Sequence, residues 1–268
     1  MKTKQVVCGL GEIGNPIYKI LNLANLTQGF DIDTKLLPKH NSKLDEYEAQ
    51  FLHICIPFNS KFIKNTQELK KKFSPQGIII HSTISPGTTK KIQEKIKDIP
   101  ILYSATRGVH KRMSSDLKKY TKFFAIDKNA PKAKWASSRY VTIMKKSGVK
   151  TKQMSKPITL ELAKIVVDTS YYGWLINYAQ ISNMIALKHN VNYDEMWSFA
   201  DEIQQFVKNR PKLFPGFIGG HCVIPNLDLI DEDSLWQIDK INNIYTKKVK
   251  NAKSIAKKYV KGKSSYDV

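Results

Sequence analysis

The stretch that decides the fold is KQVVCGLGEIGNP, residues 4–16, in which an apolar run, a glycine turn and a helical pattern follow one another. Its glycines have the spacing G-x-G-x-x-G, in which the first suits a tight turn, the second admits a pyrophosphate and the third lets helix and strand pack closely. The N-terminus of the helix then presents N–H groups and a positive dipole end to the phosphates. The stretch predicts a dinucleotide-binding turn, and a purely structural turn is the alternative. The residues predicted to line the turn are Gly9, Gly11, Glu12, Ile13 and Gly14.

A carboxylate that holds the ribose hydroxyls is expected about 20 residues after such a turn. Asp31 and Asp33 of GFDIDTK lie in that window, and Asp31 is the predicted ligand. A carboxylate there repels a 2′-phosphate, so the pattern favours NAD over NADP. The preceding segment NLTQGF has polar residues where a strand favours β-branched ones, which predicts a short or irregular second strand.

Further along the chain, short apolar runs alternate with helical stretches, which predicts a parallel sheet covered by helices on both faces. The predicted strands are residues 4–10, 51–58, 77–83, 99–105, 122–127 and 148–154. From Thr159 to about His189 the pattern predicts one long helix, followed by helices over 194–208 and 234–259. We therefore predict an α/β protein with two domains. A Rossmann-type, doubly wound parallel sheet occupies residues 1–155, and an all-helical domain with a basic C-terminal helix occupies residues 156–268.

Composition narrows the class of protein. The chain has 268 residues and is 41% hydrophobic, which fits a globular protein with a sizeable core. No apolar run approaches the roughly 20 residues that cross a bilayer, and the N-terminus lacks the apolar core of a signal peptide. Three widely spaced cysteines argue against a disulfide framework. These features predict a cytoplasmic protein that does not enter the membrane, and no metal site is predicted.

The formal net charge of +21 admits nucleic acid, an anionic surface or an anionic small-molecule substrate as a partner. Arginine, which reads bases and phosphates through its planar fork, is rare beside lysine. The arginines are Arg107, Arg112, Arg139 and Arg210, out of 44 basic residues. The excess is therefore typical of a solvated surface and argues against nucleic acid as the main partner. The lysine run between Lys247 and Lys263 predicts a basic helix or tail, with membrane or RNA contact as the alternative.

A second unusual stretch is GGHC, Gly219–Cys222, within FPGFIGGHCVIPN. A structural cysteine favours apolar neighbours, whereas a reactive one favours a polar setting that backbone can approach closely. Cys222 is therefore a candidate nucleophile, and an inert thiol in a loop is the alternative.

Several motifs appear in a fixed order: GLGEIGNP, DID, HICIPF with Pro57, HSTISPGTT with Thr83, ELAKIVVDTS with Lys164, and GFIGGHCVIPN with Cys222. Together they span roughly residues 4–226. This ordered set resembles the UDP-glucose/GDP-mannose dehydrogenase family, which is related to the 6-phosphogluconate and β-hydroxyacid dehydrogenases.

The resemblance implies a function for each motif. Cys222 would be the nucleophile of a four-electron oxidation of an alcohol to an acid with two NAD, in which the thiol captures the aldehyde. Lys164, with an asparagine four residues later, would steady the oxygen on the reacting carbon. Thr83 would lie near the nicotinamide, and Pro57 would contact the cofactor. The long apolar helix would contribute to a homodimer interface, and a central core helix is the alternative.

The sequence departs from the family at three places. Asp168 stands where the family has the asparagine, and Asn226 stands where it has an aspartate, so the two groups have exchanged places if the helix packs on the cysteine loop. A carboxylate near Lys164 favours the charged form of the lysine, and a lysine held charged is a worse general base. By composition alone, Lys164 and Asp168 predict an ordinary ion pair on a helix surface. The family's glutamate is absent from YSATRGVH, residues 103–110, so a two-electron reaction is as compatible as a four-electron one.

The residues after Asn226 are also too few for the family's second dinucleotide-like domain, so a nucleotide-sugar substrate does not follow. Three hypotheses remain. The first is an NAD-dependent oxidoreductase acting on an alcohol or sugar derivative. The second is an NAD-binding relative without turnover that acts as a sensor or assembly partner. The third is a basic protein that binds nucleic acid or a membrane.

Overall fold

The computed structural model describes residues 2–39, 44–220 and 222–253. The chain divides into two compact units, one ending at Lys164 and the other beginning at Ile165. This division falls within a continuous helical segment. The assignment of residues 1–155 to cofactor binding and 156–268 to a helical domain stays a prediction.

The first unit is built on one seven-stranded sheet with the order β2-β1-β3-β4-β5-β6-β7. The strands are β1 Thr3–Cys8, β2 Thr27–Phe30, β3 Glu48–Ile54, β4 Gly77–Ile80, β5 Ile101–Tyr103, β6 Lys122–Ile126 and β7 Thr151–Met154. Pairing is parallel from β2 to β5 and between β6 and β7. The predicted Rossmann-type architecture is confirmed.

Two strands differ from a simple parallel pattern. The weak strand β2 pairs in register with β1 from Thr27 to Phe30, as a short strand. Gly29 is closely packed there, since a Cβ would lie 2.9 Å from the Leu10 side chain and 3.0 Å from Pro38. β6 runs antiparallel to β5, with Tyr103 opposite Ala125. The prediction of a wholly parallel sheet is therefore wrong at this one pair.

Helices cover both faces of the sheet. They are α1 Gly14–Leu21, α2 Phe62–Phe73, α3 Thr88–Lys95, α4 Met113–Lys119, α5 Ala133–Lys146 and α6 Pro157–Leu162. Alternate strand residues point to opposite faces, so Val7 and Phe51 join one buried cluster and Val6 and Leu52 join the other. Apolar residues from α1, α4 and α5 complete the first cluster. Both faces of the sheet are thus dry and well packed.

The second unit is helical. Its helices are α7 Tyr171–Lys188, α8 Tyr193–Val207, α9 Ile224–Leu227 and α10 Asp233–Lys248. Between α6 and α7 the helix continues as a π-helix over Ala163–Ser170, so the predicted long helix is continuous but is not α-helical throughout. A small core forms around Ile176 of α7, Leu227 of α9 and Ile238 of α10.

The C-terminal prediction is only partly covered. α10 ends at Lys248, earlier than the predicted helix end at Tyr259. The rest of that prediction, including the lysine run as far as Lys263, extends beyond residue 253 and lies outside the described residues. Over the described ranges, no helix is both long enough and apolar enough to cross a membrane.

Candidate active site

The predicted cofactor residues follow the carboxyl ends of neighbouring strands. The sheet order reverses at β1, because the chain passes from β1 to β2 on one side and then to β3 on the other. In open α/β sheets, ligands bind outside the carboxyl ends of the strands at such a reversal. Gly9 follows β1, Asp31 follows β2, Pro57 follows β3 and Thr83 follows β4, so the topology brings these four residues to one edge.

The glycine turn has the geometry that its pattern predicts. Gly9 adopts φ +86°, and a Cβ there would lie 2.9 Å from the backbone of Cys55. At Gly14 a Cβ would overlap the carbonyl oxygen of Gly9, so only glycine permits this close approach of α1. At Gly11, by contrast, a Cβ would meet no atom within 4 Å. Two glycines are therefore required by the fold, while the third leaves open space beside the N-terminus of α1.

Asp31 is tied to the glycine turn. Its carboxylate accepts hydrogen bonds from the N–H of Leu10 at 2.5 Å and the N–H of Asp33 at 2.9 Å. Asp33 in turn accepts from the N–H of Lys35 and begins a short 3-10 turn. The carboxylate of Asp31 thus lies directly beside the turn, where the sequence predicted a ribose ligand.

The next two strands end in a connected pair of loops. The Ser82 hydroxyl donates to the carbonyl of Ile56 at 2.6 Å, which joins the segment before Pro57 to the segment that carries Thr83. Pro57 is exposed and Thr83 is half-buried, so both can be reached from solvent. Glu12 is exposed as well, whereas Ile13 packs against the core.

A buried glutamate fixes the loop after Thr83, and the sequence interpretation missed its role. Glu161 of α6 has no exposed surface. Its carboxylate accepts from the N–H of Gly87 at 2.6 Å, from the N–H of Thr89 at 3.0 Å and from the hydroxyl of Thr89 at 2.5 Å. The acid of the Glu-x-x-Lys motif therefore caps α3, and a negative charge is favourable at a helix N-terminus. A separation of 72 residues hides this contact from any local pattern.

Lys164 and Asp168 both lie on the π-helix. π-helical turns are rare and are frequent at functional sites. Both side chains are half-buried and both have polar interactions. Residues four positions apart share a face of a regular α-helix, but Lys164 and Asp168 lie here on a wider, π-helical turn.

Cys222 is exposed and lies just before α9, which contains the buried Asn226. Its neighbour Val223 packs on α7 at Gly173, where a Cβ would lie 2.8 Å from the Val223 side chain. The cysteine loop thus packs on the long helix within the second unit. His221 lies outside the described residues. Of the other cysteines, Cys8 is buried and Cys55 is half-buried. Desolvation raises the pKa of Cys55 to about 12 and that of Cys8 well above its usual value.

Buried amides hold the segment that leads to Cys222. Gln180 of α7 donates to the carbonyl of Gly216 at 2.7 Å and to the Asn242 side chain at 3.0 Å. Asn242 of α10 accepts from the N–H of Ile218 at 2.9 Å and donates to its carbonyl at 3.2 Å. The Tyr245 hydroxyl donates to the carbonyl of Pro215 at 2.9 Å. An irregular segment is thereby given a defined path. In the sequence, these amides could have been recognised as polar residues at core positions of two apolar helices.

A second buried polar row crosses the sheet of the first unit. His53 of β3 contacts Gln5 of β1 at 3.2 Å and His81, just after β4, at 3.0 Å. His81 contacts the carbonyl of Ser104 at 3.1 Å, and that carbonyl also accepts from Lys122 of β6 at 3.1 Å. Burial is the main influence on these groups. It lowers the pKa of His53 to about 3 and that of His81 well below its usual value, and the nearby Lys122 lowers both further.

The predicted site residues therefore fall into two sets. Gly9, Gly11, Gly14, Asp31, Pro57 and Thr83 follow the carboxyl edge of the sheet, and Lys164 ends the first unit. Asp168, Cys222 and Asn226 belong to the second unit. The convergence of Cys222 and Lys164 on one cofactor stays a prediction.

These features define the class of protein: a Rossmann-type α/β unit with an open glycine turn, joined to a helical unit that presents a cysteine loop. Solved structures of nucleotide-sugar dehydrogenases share this fold over nearly the whole chain. A UDP-D-ManNAc dehydrogenase from Pyrococcus horikoshii has a TM-score of 0.75 and 18% sequence identity, with 91% of this chain and 69% of that chain covered. A UDP-glucose dehydrogenase from Pyrobaculum islandicum has a TM-score of 0.67 and 13% identity, with 92% and 68% covered.

A third similar structure is shorter than these two. The 3-hydroxyisobutyrate dehydrogenase of Mycobacterium tuberculosis has a TM-score of 0.59 and 13% identity, and the match covers 100% of this chain and 97% of that chain. No protein-family model matches the sequence, and no curated protein matches it either. At these identities the likeness establishes a shared fold, which is that of the UDP-sugar dehydrogenases.

Proposed function

We propose that this protein is an NAD-dependent oxidoreductase that acts on the alcohol group of a sugar derivative or another small hydroxylated substrate. The glycine turn is the observation that carries this proposal. Gly9 and Gly14 have no room for a side chain, whereas Gly11 faces open space, as a turn that receives a pyrophosphate requires. The dehydrogenase fold of the similar structures supports the same class of reaction.

The residues at the carboxyl edge fit a dinucleotide. Gly11 and the N-terminus of α1 would hold the pyrophosphate. The Asp31 carboxylate, already placed by the N–H of Leu10, would accept from the ribose hydroxyls and repel a 2′-phosphate. Pro57 and Thr83 would line the nicotinamide side. When bound, NAD supplies the acceptor for a hydride.

The substrate side rests on the half-buried Lys164 and the exposed Cys222. Lys164 would hold the oxygen on the reacting carbon, because an ammonium stabilises negative charge that develops there. Cys222 would capture an aldehyde if the reaction proceeds beyond two electrons. Asp168 and Asn226 would adjust the charge around these groups.

Two substrate classes remain in the proposal, each supported by a different comparison. The UDP-sugar dehydrogenases give the higher TM-scores, but this chain covers only about two thirds of their length. The 3-hydroxyisobutyrate dehydrogenase is covered almost completely. The basic net charge of +21 is compatible with an anionic substrate of either class.

Cofactor binding is tested by titrating the protein with NADH and following nucleotide fluorescence. Gly11→Ala is expected to weaken binding at least about tenfold without loss of thermal stability, because its Cβ has open space in the protein but would meet the pyrophosphate. Lys134→Ala, at an exposed position of α5, is the control and should bind as the wild type does. Equal binding by Gly11→Ala and the wild type would contradict a dinucleotide at this turn.

Turnover separates the substrate classes. UDP-ManNAc, UDP-glucose and 3-hydroxyisobutyrate are offered with NAD, and the NADH formed per molecule of substrate is counted. Two NADH, abolished by Cys222→Ser, indicate a four-electron oxidation of a sugar. One NADH, retained by Cys222→Ser, indicates a two-electron oxidation. NADH binding without turnover, together with an unreactive Cys222 thiol, would favour a sensor or assembly partner.

A homodimer through the helical unit is also part of the proposal. Large apolar side chains are exposed on α7 and α8, including Tyr178 at 62%, Ile185 at 50% and Phe199 at 91%. Exposed apolar surface of this kind is typical of association surfaces. Because most soluble oligomers are homo-oligomers, a second copy of this chain is the expected partner.

A further inference from the structure

Lys122 is a lysine that the first unit buries almost completely, and the proposed chemistry does not yet use it. Only 4% of it is exposed. Its ammonium donates to the carbonyl oxygens of Ser104 at 3.1 Å and Ala105 at 3.2 Å, and to the hydroxyl of Thr106 at 3.1 Å. These three acceptors stabilise the ammonium, because an isolated charge would be very costly to bury.

The direction of β6 explains the position of Lys122. β6 runs antiparallel to β5, and Leu102 and Tyr103 lie opposite Ile126 and Ala125. The first residue of β6 therefore lies at the edge where the parallel strands β1 to β5 end. This is the edge that also carries the glycine turn. Lys122 thus places an amine beneath the loop that follows β5.

The three acceptors are not equivalent, and this difference matters for proton transfer. A carbonyl oxygen only accepts, whereas a threonine hydroxyl both donates and accepts. The ammonium can donate to all three. After it loses a proton, the amine can still donate to the carbonyls of Ser104 and Ala105, and its lone pair can accept from the hydroxyl of Thr106. Both protonation states are therefore fully hydrogen-bonded with no movement of the chain.

The surroundings of Lys122 bring the loss of its proton near neutral pH. Burial is the main cause that lowers the pKa of Lys122, to about 7, and the positive charges of Lys164 and Arg107 lower it further, against an opposing influence of Cys55. The other titratable groups that face it are His53 and His81, whose pKa values it lowers in turn. Efficient general bases have a pKa near the working pH.

Thr106 is the point at which the amine could meet a substrate. Lys122 and Thr106 are both buried, Thr106 with 5% of its surface exposed, but the chain becomes exposed two residues further on, at Gly108. Arg107 between them is held by a hydrogen bond from its guanidinium to the carbonyl of Thr121 at 2.9 Å. The loop therefore has a fixed path around the hydroxyl.

We propose that Thr106 and Lys122 form a proton relay for the oxidation described above, in which the hydroxyl of Thr106 receives the substrate's alcohol proton and passes its own proton to the neutral amine of Lys122. This inference rests on the proposed function. The O–H bond of the substrate breaks as the hydroxyl of Thr106 is re-formed, and a new N–H bond forms on Lys122. The hydride from the same carbon leaves to the nicotinamide. The substrate thereby loses a hydride to the nicotinamide and a proton to the relay, and Lys122 ends as an ammonium.

The relay is tested by kcat against pH for UDP-ManNAc, UDP-glucose and 3-hydroxyisobutyrate at saturating NAD. In the wild type, kcat should rise about tenfold per pH unit up to pH 7 and then level off, because only the neutral amine accepts a proton. Thr106→Val, which has nearly the same shape, should lose this pH dependence and about 100-fold or more in kcat, with KM little changed. Thr106→Ser keeps the hydroxyl and should retain the wild-type profile.

A second measurement does not depend on turnover. In protein labelled with ¹³C at the lysine ε-carbons, the resonance missing from Lys122→Arg belongs to Lys122, and its titration midpoint is expected near pH 7 in the wild type and in Thr106→Ser. A midpoint above pH 9 would overturn the relay. The relay would also be overturned if kcat still rose with pH in a folded Thr106→Val variant. If that variant does not fold, the same result in Lys122→Arg would overturn the relay, because a guanidinium accepts no proton. A wild type that binds NADH but turns over none of the three substrates overturns both the proposed oxidation and the relay. Turnover with a flat pH profile overturns the relay alone.

Discussion

Both units bury a row of hydrogen-bonded polar side chains, but only the first row contains titratable groups. In the first unit the row contains His53, His81 and Lys122. In the second unit it consists of amides, Gln180 and Asn242, with Asn177 donating to Gln180 at 2.9 Å. Among the buried polar side chains described in the second unit, none belongs to histidine, lysine, aspartate or glutamate.

The difference corresponds to what each row supports. The amides fix the backbone of an irregular segment, Gly216–Ile218, whose hydrogen bonds must hold at any pH. Amides serve this purpose because they donate and accept without changing charge. His53 and Lys122 lie on strands and His81 lies just after one, beneath the edge proposed to bind the cofactor. A group that changes charge there can take part in proton transfer. The two units should therefore respond differently to pH.

The largest expected effect is acid lability of the first unit alone. Burial depresses the pKa of His53 to about 3, and the pKa of His81 is depressed as well. Between pH 6.5 and these values the unfolded chain binds more protons, so the free energy of unfolding must fall as the pH falls. The slope approaches about 1.4 kcal/mol per pH unit for each histidine below pH 6.5, which gives about 3 kcal/mol for the two histidines between pH 6.5 and pH 5.

Hydrogen exchange of the backbone amides, read by segment, measures this loss. Protection in β3 and β4 should decrease with acid after correction for the intrinsic exchange rate, while α7 and α10 keep their protection. His53→Gln should roughly halve the slope. His189→Gln, at an exposed position, is the control and should leave the slope unchanged. A parallel loss of protection in both units would contradict the distinction.

The next effect comes from making the second row titratable. In Asn242→Asp, a protonated carboxyl can keep the contacts with Ile218, whereas an ionised one is buried and faces the carbonyl of Ile218. Burial raises the pKa of such a carboxyl above its unfolded value, so stability is present at low pH and is lost as the pH rises through the folded pKa. The second unit should lose about 3 kcal/mol at pH 7.

Urea unfolding of this variant at pH 4.5 and pH 7 shows the sign. Its stability should fall with rising pH, opposite to the acid lability of the first unit. Asn243→Asp, at the next and exposed position of α10, is the matched control and should change stability by less than about 1 kcal/mol at either pH. Equal stability of Asn242→Asp at the two pH values would show that the amide row is not truly buried.

The sequence predicted the parts of this molecule that depend on local pattern. Gly9 and Gly14 specify a turn because a side chain at either position would clash with nearby backbone. The alternating strands and helices follow from periodicity. The direction of β6 could not be predicted, since an apolar run looks the same whichever way the strand runs. For the same reason Lys122, at the start of that strand, gave no sign of its position beneath the loop after β5.

The candidate site was predictable to a similar degree. Cys222 and Asp31 stood out through their neighbours in the chain. The contact between Glu161 and the N-terminus of α3 joins residues 72 positions apart. The polar row joins side chains from β1, β3, β6 and the segment just after β4. A polar residue within a strand usually indicates exposure, so the pattern of His53 and His81 pointed away from their burial.

The smallest effect on stability is expected at the exposed apolar surface of α8 in the second unit. Phe199 of α8 is 91% exposed, so Phe199→Lys should change the free energy of unfolding of the isolated chain by no more than about 0.5 kcal/mol. If α8 contributes to a homodimer, the same change should weaken association at least tenfold in sedimentation equilibrium, because a lysine ammonium would have to be desolvated. Gln205→Lys adds the same charge at another exposed position of α8 and is the control. Identical association of Phe199→Lys and the wild type would show that the dimer does not use Phe199, and monomers throughout would contradict the homodimer.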